Sequence, residues 1–242
     1  DFHYLLDEFA DLKVIRFRVP GWDNLSLRQK EYAYHLSEAA KLGRDITWDQ
    51  YCKWNLPIRH VVEDILNEYE GDRECADFQN FTVYAKRLFF ANGIHHHYSE
   101  DKFFPECPKE YFQSLMEAVG DGEQATELLE VIYSPDIYPQ RRSTSKTGDI
   151  VELSAVNFYD GVTREEVDKY YNSMMDPNDK TPISYGLNTK VVKEDGKVVE
   201  KPWKVGGIYG PALEKICAEL EKAAAVAETD LQKEAIGKLV EY

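Results

Sequence analysis

Apolar positions in the first half of the chain recur at three- and four-residue spacing, the mark of helices that bury one face. Leu5, Leu6, Phe9 and Leu12 make the first such face. Ser26 with Gln29 is a capping-box signature, and Tyr32, Leu36, Ala39 and Ala40 carry that helix to Gly43. Asn55, with Pro57 just inside, opens a helix through Val61, Val62, Ile65 and Leu66 that ends at Gly71. Asp77 opens the next, bearing Phe78, Phe81, Tyr84, Leu88 and Phe89, and Asn92-Gly93 closes it. Two shorter helices follow near Lys109–Val119 and Glu123–Tyr133.

The pattern then changes. Residues 134–149 hold Pro135, Pro139 and the polar run Arg141 to Gly148, which is loop chemistry and reads as a mobile surface segment. Thr163 with Glu166 is a second capping box, opening a short helix through Val167, Tyr170, Tyr171 and Met174. Leu187–Glu194 and Lys197–Val205 flank Asp195-Gly196, the strongest hairpin signal in the chain. Gly206-Gly207 ends the second strand. After Pro211 a helix runs through Leu213, Ile216, Cys217, Leu220 and Ala224, and Thr229 with Gln232 caps a last one. That helix reaches Tyr242 without a stop signal, so the expectation is a chain cut within a longer one. The reading is α+β: a helical part over 1–133, a loop over 134–149, and a hairpin-bearing part with terminal helices over 150–242.

Charge narrows the partners. Of 242 residues, 29 are Lys or Arg and 44 Asp or Glu, giving a net charge of −15 that repels phosphate backbones. Nucleic acid is therefore excluded as an expected partner. So is a membrane, since no apolar stretch approaches the roughly 20 residues a spanning helix needs. Cys52, Cys75, Cys107 and Cys217 are widely spaced with no Cys-x-x-Cys pair, which favours free thiols in a reducing compartment. The cytoplasm is the expectation, with export after leader removal as the alternative, because the first residue is Asp1.

Candidate chemistry centres on Ile94-His95-His96-His97-Tyr98. A histidine triplet invites a metal. Adjacent side chains in an extended segment point to opposite sides, however, so at best His95 and His97 share one. The competing reading is a loop that shapes a cleft, with each ring satisfied locally. No His is followed by Glu, which excludes a His-Glu-x-x-His helix. Gly-x-Ser-x-Gly and phosphate-loop motifs are also missing. Gly206-Gly207-Ile208-Tyr209-Gly210 lacks dinucleotide spacing and reads as a strand exit that lets Tyr209 point freely. A phenol held there can donate to a developing oxyanion.

Long ordered stretches carry a resemblance: Phe9-Ala10-Asp11-Leu12, Val19-Pro20-Gly21, Gly43-Arg44-Asp45-Ile46, Val83-Tyr84-Ala85-Lys86-Arg87 and Asn92-Gly93 through Tyr98. It continues in Asn157 through Thr163, Pro182 through Asn188 and Trp203 through Tyr209. The chain resembles the N-terminal lobe of the dipeptidyl peptidase III family, bacterial branch. The resemblance implies a two-lobed zinc exopeptidase that removes dipeptides from peptide N-termini. It implies for this lobe helices with a small antiparallel β-barrel or β-sheet, and a peptide that adds to a strand edge. The family's zinc helix, His-Glu-x-x-Gly-His, has no counterpart here, so zinc belongs to a C-terminal lobe that is the implied partner together with short peptides. By itself the fragment is expected to bind no catalytic zinc and to be inactive. Tyr209 corresponds to a family tyrosine said to assist the scissile carbonyl; Asn92, Gly93, His95 and His97 correspond to a loop bordering the cleft. Two further readings stand beside this one: a peptide-binding or protein-interaction module without catalysis, and a metal carrier built on the histidine loop.

Overall fold

The computed structural model describes residues 2–242. They group into two compact units, one made of residues up to Glu8, Leu12–Ile46 and Lys201–Tyr242, the other of Phe9–Asp11 and Thr47–Glu200.

In the first unit, α1 (Leu27–Leu42) packs on α8 (Gly210–Ala225), and α8 on α9 (Asp230–Glu241). Ala39, Leu220 and Ile236 form its core, with Tyr32, Leu36, Ile216 and Val240 around them. The Ser26 capping box closes as its spacing predicts: Gln29 N–H donates to Ser26 Oγ at 3.1 Å and Ser26 N–H to Gln29 Oε1 at 2.9 Å. The same turn grips the end of α8, since Arg28 donates to the carbonyls of Val226 and Ala227 at 2.8 and 2.5 Å. His35 meets Glu219 at 2.9 Å. The Thr229 cap is also in place, accepting from Gln232 N–H.

The first apolar run is not a helix. It folds as a hairpin of β1 (Leu5–Phe9) and β2 (Leu12–Ile15) that turns on Ala10, held at φ 50°. Leu5, Phe9 and Leu12 at four- and three-residue spacing fit one helical face, yet Leu5 and Leu6 are both exposed and no helical face forms. A left-handed residue at the turn, with Glu8 and Lys13 paired across the strands at 3.4 Å, decides for the hairpin.

The second unit is built on α2 (Arg44–Tyr51, which begins in the first), α3 (Asn55–Glu68), α4 (Ala76–Ala91), α5 (Lys109–Ala118) and α6 (Ala125–Tyr133). Their inward faces hold Trp48, Ile58, Val62, Ile65, Phe81, Leu88, Phe112, Leu115 and Ile132. Phe81, Phe112 and Tyr84 meet edge to face, with ring centroids 5.0 and 6.2 Å apart. Nothing in the sequence pattern announced α2, whose only buried side chain is Trp48. Asn55 opens α3 as expected, and its amide turns inward. The helix stops at Glu68, ahead of Gly71.

A three-stranded sheet completes this unit, in the order β3 (Tyr159–Asp160), β4 (Thr189–Glu194), β5 (Lys197–Pro202). Asp195 at φ 50° and Gly196 at φ 77° make the expected two-residue turn. Expected as antiparallel, the sheet is mixed: β3 pairs parallel with β4, Tyr159 opposite Val191 and Asp160 opposite Val192. The crossover between them, which carries α7 (Arg164–Asn172), is long enough to bring the chain back in the same direction. Val162, Val167 and Val191 form a small core beneath it. Among the described residues the strands form open sheets and no closed barrel.

Candidate functional site

The histidine loop is built from the end of α4. Asn92 takes the left-handed conformation at φ 55° and ends the helix, and Gly93 follows at φ 149°. Buried Asn55 explains both. Its Nδ2 donates to the carbonyls of Trp48 at 3.0 Å and Asn92 at 3.4 Å, and its Oδ1 accepts from Ile94 N–H at 3.2 Å. A Cβ on Gly93 would fall inside this amide, so glycine is required for the close approach. Asn92 and Gly93 thus lie against the core of their unit.

The three histidines do not converge: His95 is buried, while the rings of His96 and His97 lie together with centroids 4.4 Å apart. His95 is 2% exposed, and its Nε2 lies 2.9 Å from the Tyr138 carbonyl. Burial pushes its pKa down to about 4, with Lys102 and Arg141 adding to the effect. The ring is therefore neutral at pH 7, with Nε2–H donating and the buried Nδ1 without a hydrogen-bond partner. His96 Nδ1 accepts from the N–H groups of Tyr98 and Ser99, which leaves Nε2–H for Asp11 at 3.2 Å. His97 is exposed, with its ring against Phe90. Among the described residues no cluster of three or more His, Cys, Asp or Glu side chains could hold a metal ion. The residues present do not fit a zinc centre: the His96 and His97 rings lie together, but His95 turns away into the core and gives them no third ligand.

Around the loop lie charged groups that the sequence pattern did not single out. Glu100, at φ 65°, binds the guanidinium groups of Arg141, at 2.6 Å, and Arg142. Those hydrogen bonds, Arg142's first, hold its carboxyl down at about 2. Arg141 is buried and stacks 4.1 Å from the centre of the Tyr51 ring. The polar run expected to be a mobile surface segment is therefore anchored at its start. Lys102 is also buried, donating to the carbonyls of Ser134 and Ile137 at 2.6 and 2.8 Å, and burial lowers it to about 8.

A groove of about 670 Å³ opens elsewhere in the same unit. Tyr159, Asp160, Val162 and, on α7, Glu165, Glu166 and Lys169 form one part of its wall, and Lys53, Tyr138 and Val156 also line it. Thr163 caps α7 reciprocally with Glu166, which also pairs with Lys193. Asn157 is held between Asp49 at 3.1 Å and Lys190 at 2.6 Å, which fixes the chain just before β3. The volume suits a short peptide or another molecule of that size. Its lining comes from distant stretches of the chain, and the sequence offered no signal for it beyond the Thr163 box.

Tyr209 belongs to the first unit. It is half-buried at the N-cap of α8, held left-handed at φ 62°, and its carbonyl accepts from Ala212 and Leu213 N–H at 3.0 and 2.9 Å. Its ring centroid lies 6.1 Å from that of Trp203. A non-glycine residue in this conformation is strained by about 1–2 kcal/mol, held by the turn Gly206-Gly207 before it and the helix after it.

No protein-family model and no curated protein matches the chain. Solved structures do. The structure of dipeptidyl peptidase III from Caldithrix abyssi aligns with a TM-score of 0.55 and 19% identity, over 91% of this chain and 31% of that one. The dipeptidyl-peptidase III of Corallococcus sp. strain EGB aligns with a TM-score of 0.57 and 17% identity, over 96% and 33%. The chain spans about a third of the length of the structures it matches. Its fold is that of one part of bacterial dipeptidyl peptidase III, as the resemblance in the sequence implied.

Proposed function

We propose that this chain is the non-zinc lobe of a dipeptidyl peptidase III-like exopeptidase and contributes part of the cleft that holds the peptide. The observation that carries this reading is the alignment of nearly the whole chain with a third of two such peptidases. Zinc, the missing C-terminal lobe and the hydrolytic step belong to residues outside this chain, and alone it is inactive. The open groove along β3 and the start of α7 is the best place for an extended peptide, with backbone at a short strand and carboxylates of Glu152, Asp160 and Glu165 near a cationic amino terminus. Tyr209 and the 92–97 loop are further candidates for contact with substrate. No helix among the described residues is long and apolar enough to cross a membrane. The free thiols of Cys52, Cys75, Cys107 and Cys217 favour a reducing compartment, and the cytoplasm is the location that goes with this reading.

The test is the native polypeptide, isolated from its source cells. The reading expects a mass about three times the 28.0 kDa of this chain, one bound zinc, and release of dipeptides from oligopeptides. A native mass near 28.0 kDa with peptide binding but no hydrolysis would overturn it in favour of a peptide-binding module.

A further inference from the structure

The β1–β2 hairpin carries apolar side chains that nothing in the described molecule covers. Tyr4 is 60% exposed, Leu6 57%, Ile15 53%, Phe17 78% and Val19 67%. Leu12, on the opposite face, is the one buried side chain of the two strands, and none of the three apolar cores includes a residue of either. The Glu8–Lys13 pair across the strands puts those two on one face, and alternation puts Leu6 and Ile15 on that same face. A two-stranded hairpin alone is marginal in water, and an exposed apolar strand is an invitation to pairing. The hairpin is nevertheless made ready: Arg16 N–H donates to the Tyr4 carbonyl at 2.9 Å, and Arg16 Nε to His3 at 2.7 Å. At the tip, Asp11 meets His96 and Phe9 lies under the Lys86 ammonium, 5.5 Å from the ring centre.

We propose that this hairpin is an interdomain arm, whose face of Leu6 and Ile15, extended by Tyr4, Phe17 and Val19, seats the part of the polypeptide lying outside these 242 residues. The inference rests on the reading of the chain as one portion of a longer peptidase. That reading supplies the occupant, because the chain accounts for 31–33% of the matched structures and leaves a body about twice its own size to cover the face. A second copy of this chain fits less well. Stable association between separate molecules takes about 20–30 residues a side, whereas a contact within one polypeptide loses no translational freedom and holds with the few side chains available here.

Hydrogen exchange at residues 4–19 of the native polypeptide tests this. The covered arm should exchange at least ~100-fold slower than unprotected amides. Substituting Leu6→Asp with Ile15→Asp should bring the rate back to within about tenfold of unprotected. Leu6→Ala with Ile15→Ala serves the same purpose if the aspartates prevent folding, and should give an intermediate rate. A native polypeptide of about three times this length whose hairpin exchanges freely overturns the inference and leaves the peptidase reading intact. Protection that appears only on dimerisation, read by light scattering, also overturns it. A native polypeptide no longer than this chain removes both.

Discussion

The two hairpins begin from nearly the same local chemistry and end in opposite circumstances. Each turns on a residue in the left-handed region, Ala10 at φ 50° in one and Asp195 at φ 50° with Gly196 at φ 77° in the other. Yet β4 lies between two neighbours and sinks Val191 to 1% exposure among Val162 and Val167, while Leu6 and Ile15 remain in the open. The ladder is common to both. What separates them is cover, and cover is where strand stability comes from, since burial rather than backbone pairing supplies most of the net gain.

Breaking the covered hairpin should have the largest effect. Val191→Asp buries an unpaired carboxylate and should cost at least about 3 kcal/mol, unfolding the sheet, as read by urea titration. Acid should act most strongly on the helical part, through His95. Its folded pKa of about 4 lies below the unfolded 6.5, so the unfolded state takes up the proton first and stability falls as pH drops between these values. The loss reaches roughly 3 kcal/mol by pH 4, and His95→Gln should flatten it. Next come the turns. Gly196→Ala should cost about 1–2 kcal/mol, whereas Ala10→Gly relieves the same strain and should gain up to about 1 kcal/mol in thermal unfolding. The smallest effect is Ile15→Asp in this chain, within about 0.5 kcal/mol, because the side chain is already in water. A larger loss there would mean that the two hairpins are covered alike.

The difference between the hairpins also marks how far the residues could be read. Asp195-Gly196 announces its turn because two consecutive left-handed residues favour that pair. Ala10-Asp11 gives no such signal, and Leu5, Phe9 and Leu12 fall at helical spacing, so the local pattern favours a helix where the chain folds as a strand pair. Capping boxes at Ser26 and Thr163 were legible because both partners lie within one turn. Asn55 opens its helix as the local pattern indicates, but its amide is spent on Trp48, Asn92 and Ile94, contacts that no local pattern encodes. The candidate site shows the same limit. Adjacency puts three histidines in view, but alternation pairs His95 with His97 where the fold brings the rings of His96 and His97 together and buries His95 alone, and the burial of Lys102 and Arg141 and the groove along β3 depend on residues brought from far along the chain.

The grip of Arg28 on the last carbonyls of α8 has a consequence for biosynthesis. Its partners are 198 and 199 positions later, and His35 waits 184 positions for Glu219. At ribosomal speed that is ~10–40 s during which α1 is outside the tunnel with no helix to pack on, its thin apolar stripe open to chaperones. The helices and sheet between residues 47 and 200 can complete their own core in that interval. Order of synthesis therefore runs against order of closure: the unit that starts first is the last to be sealed.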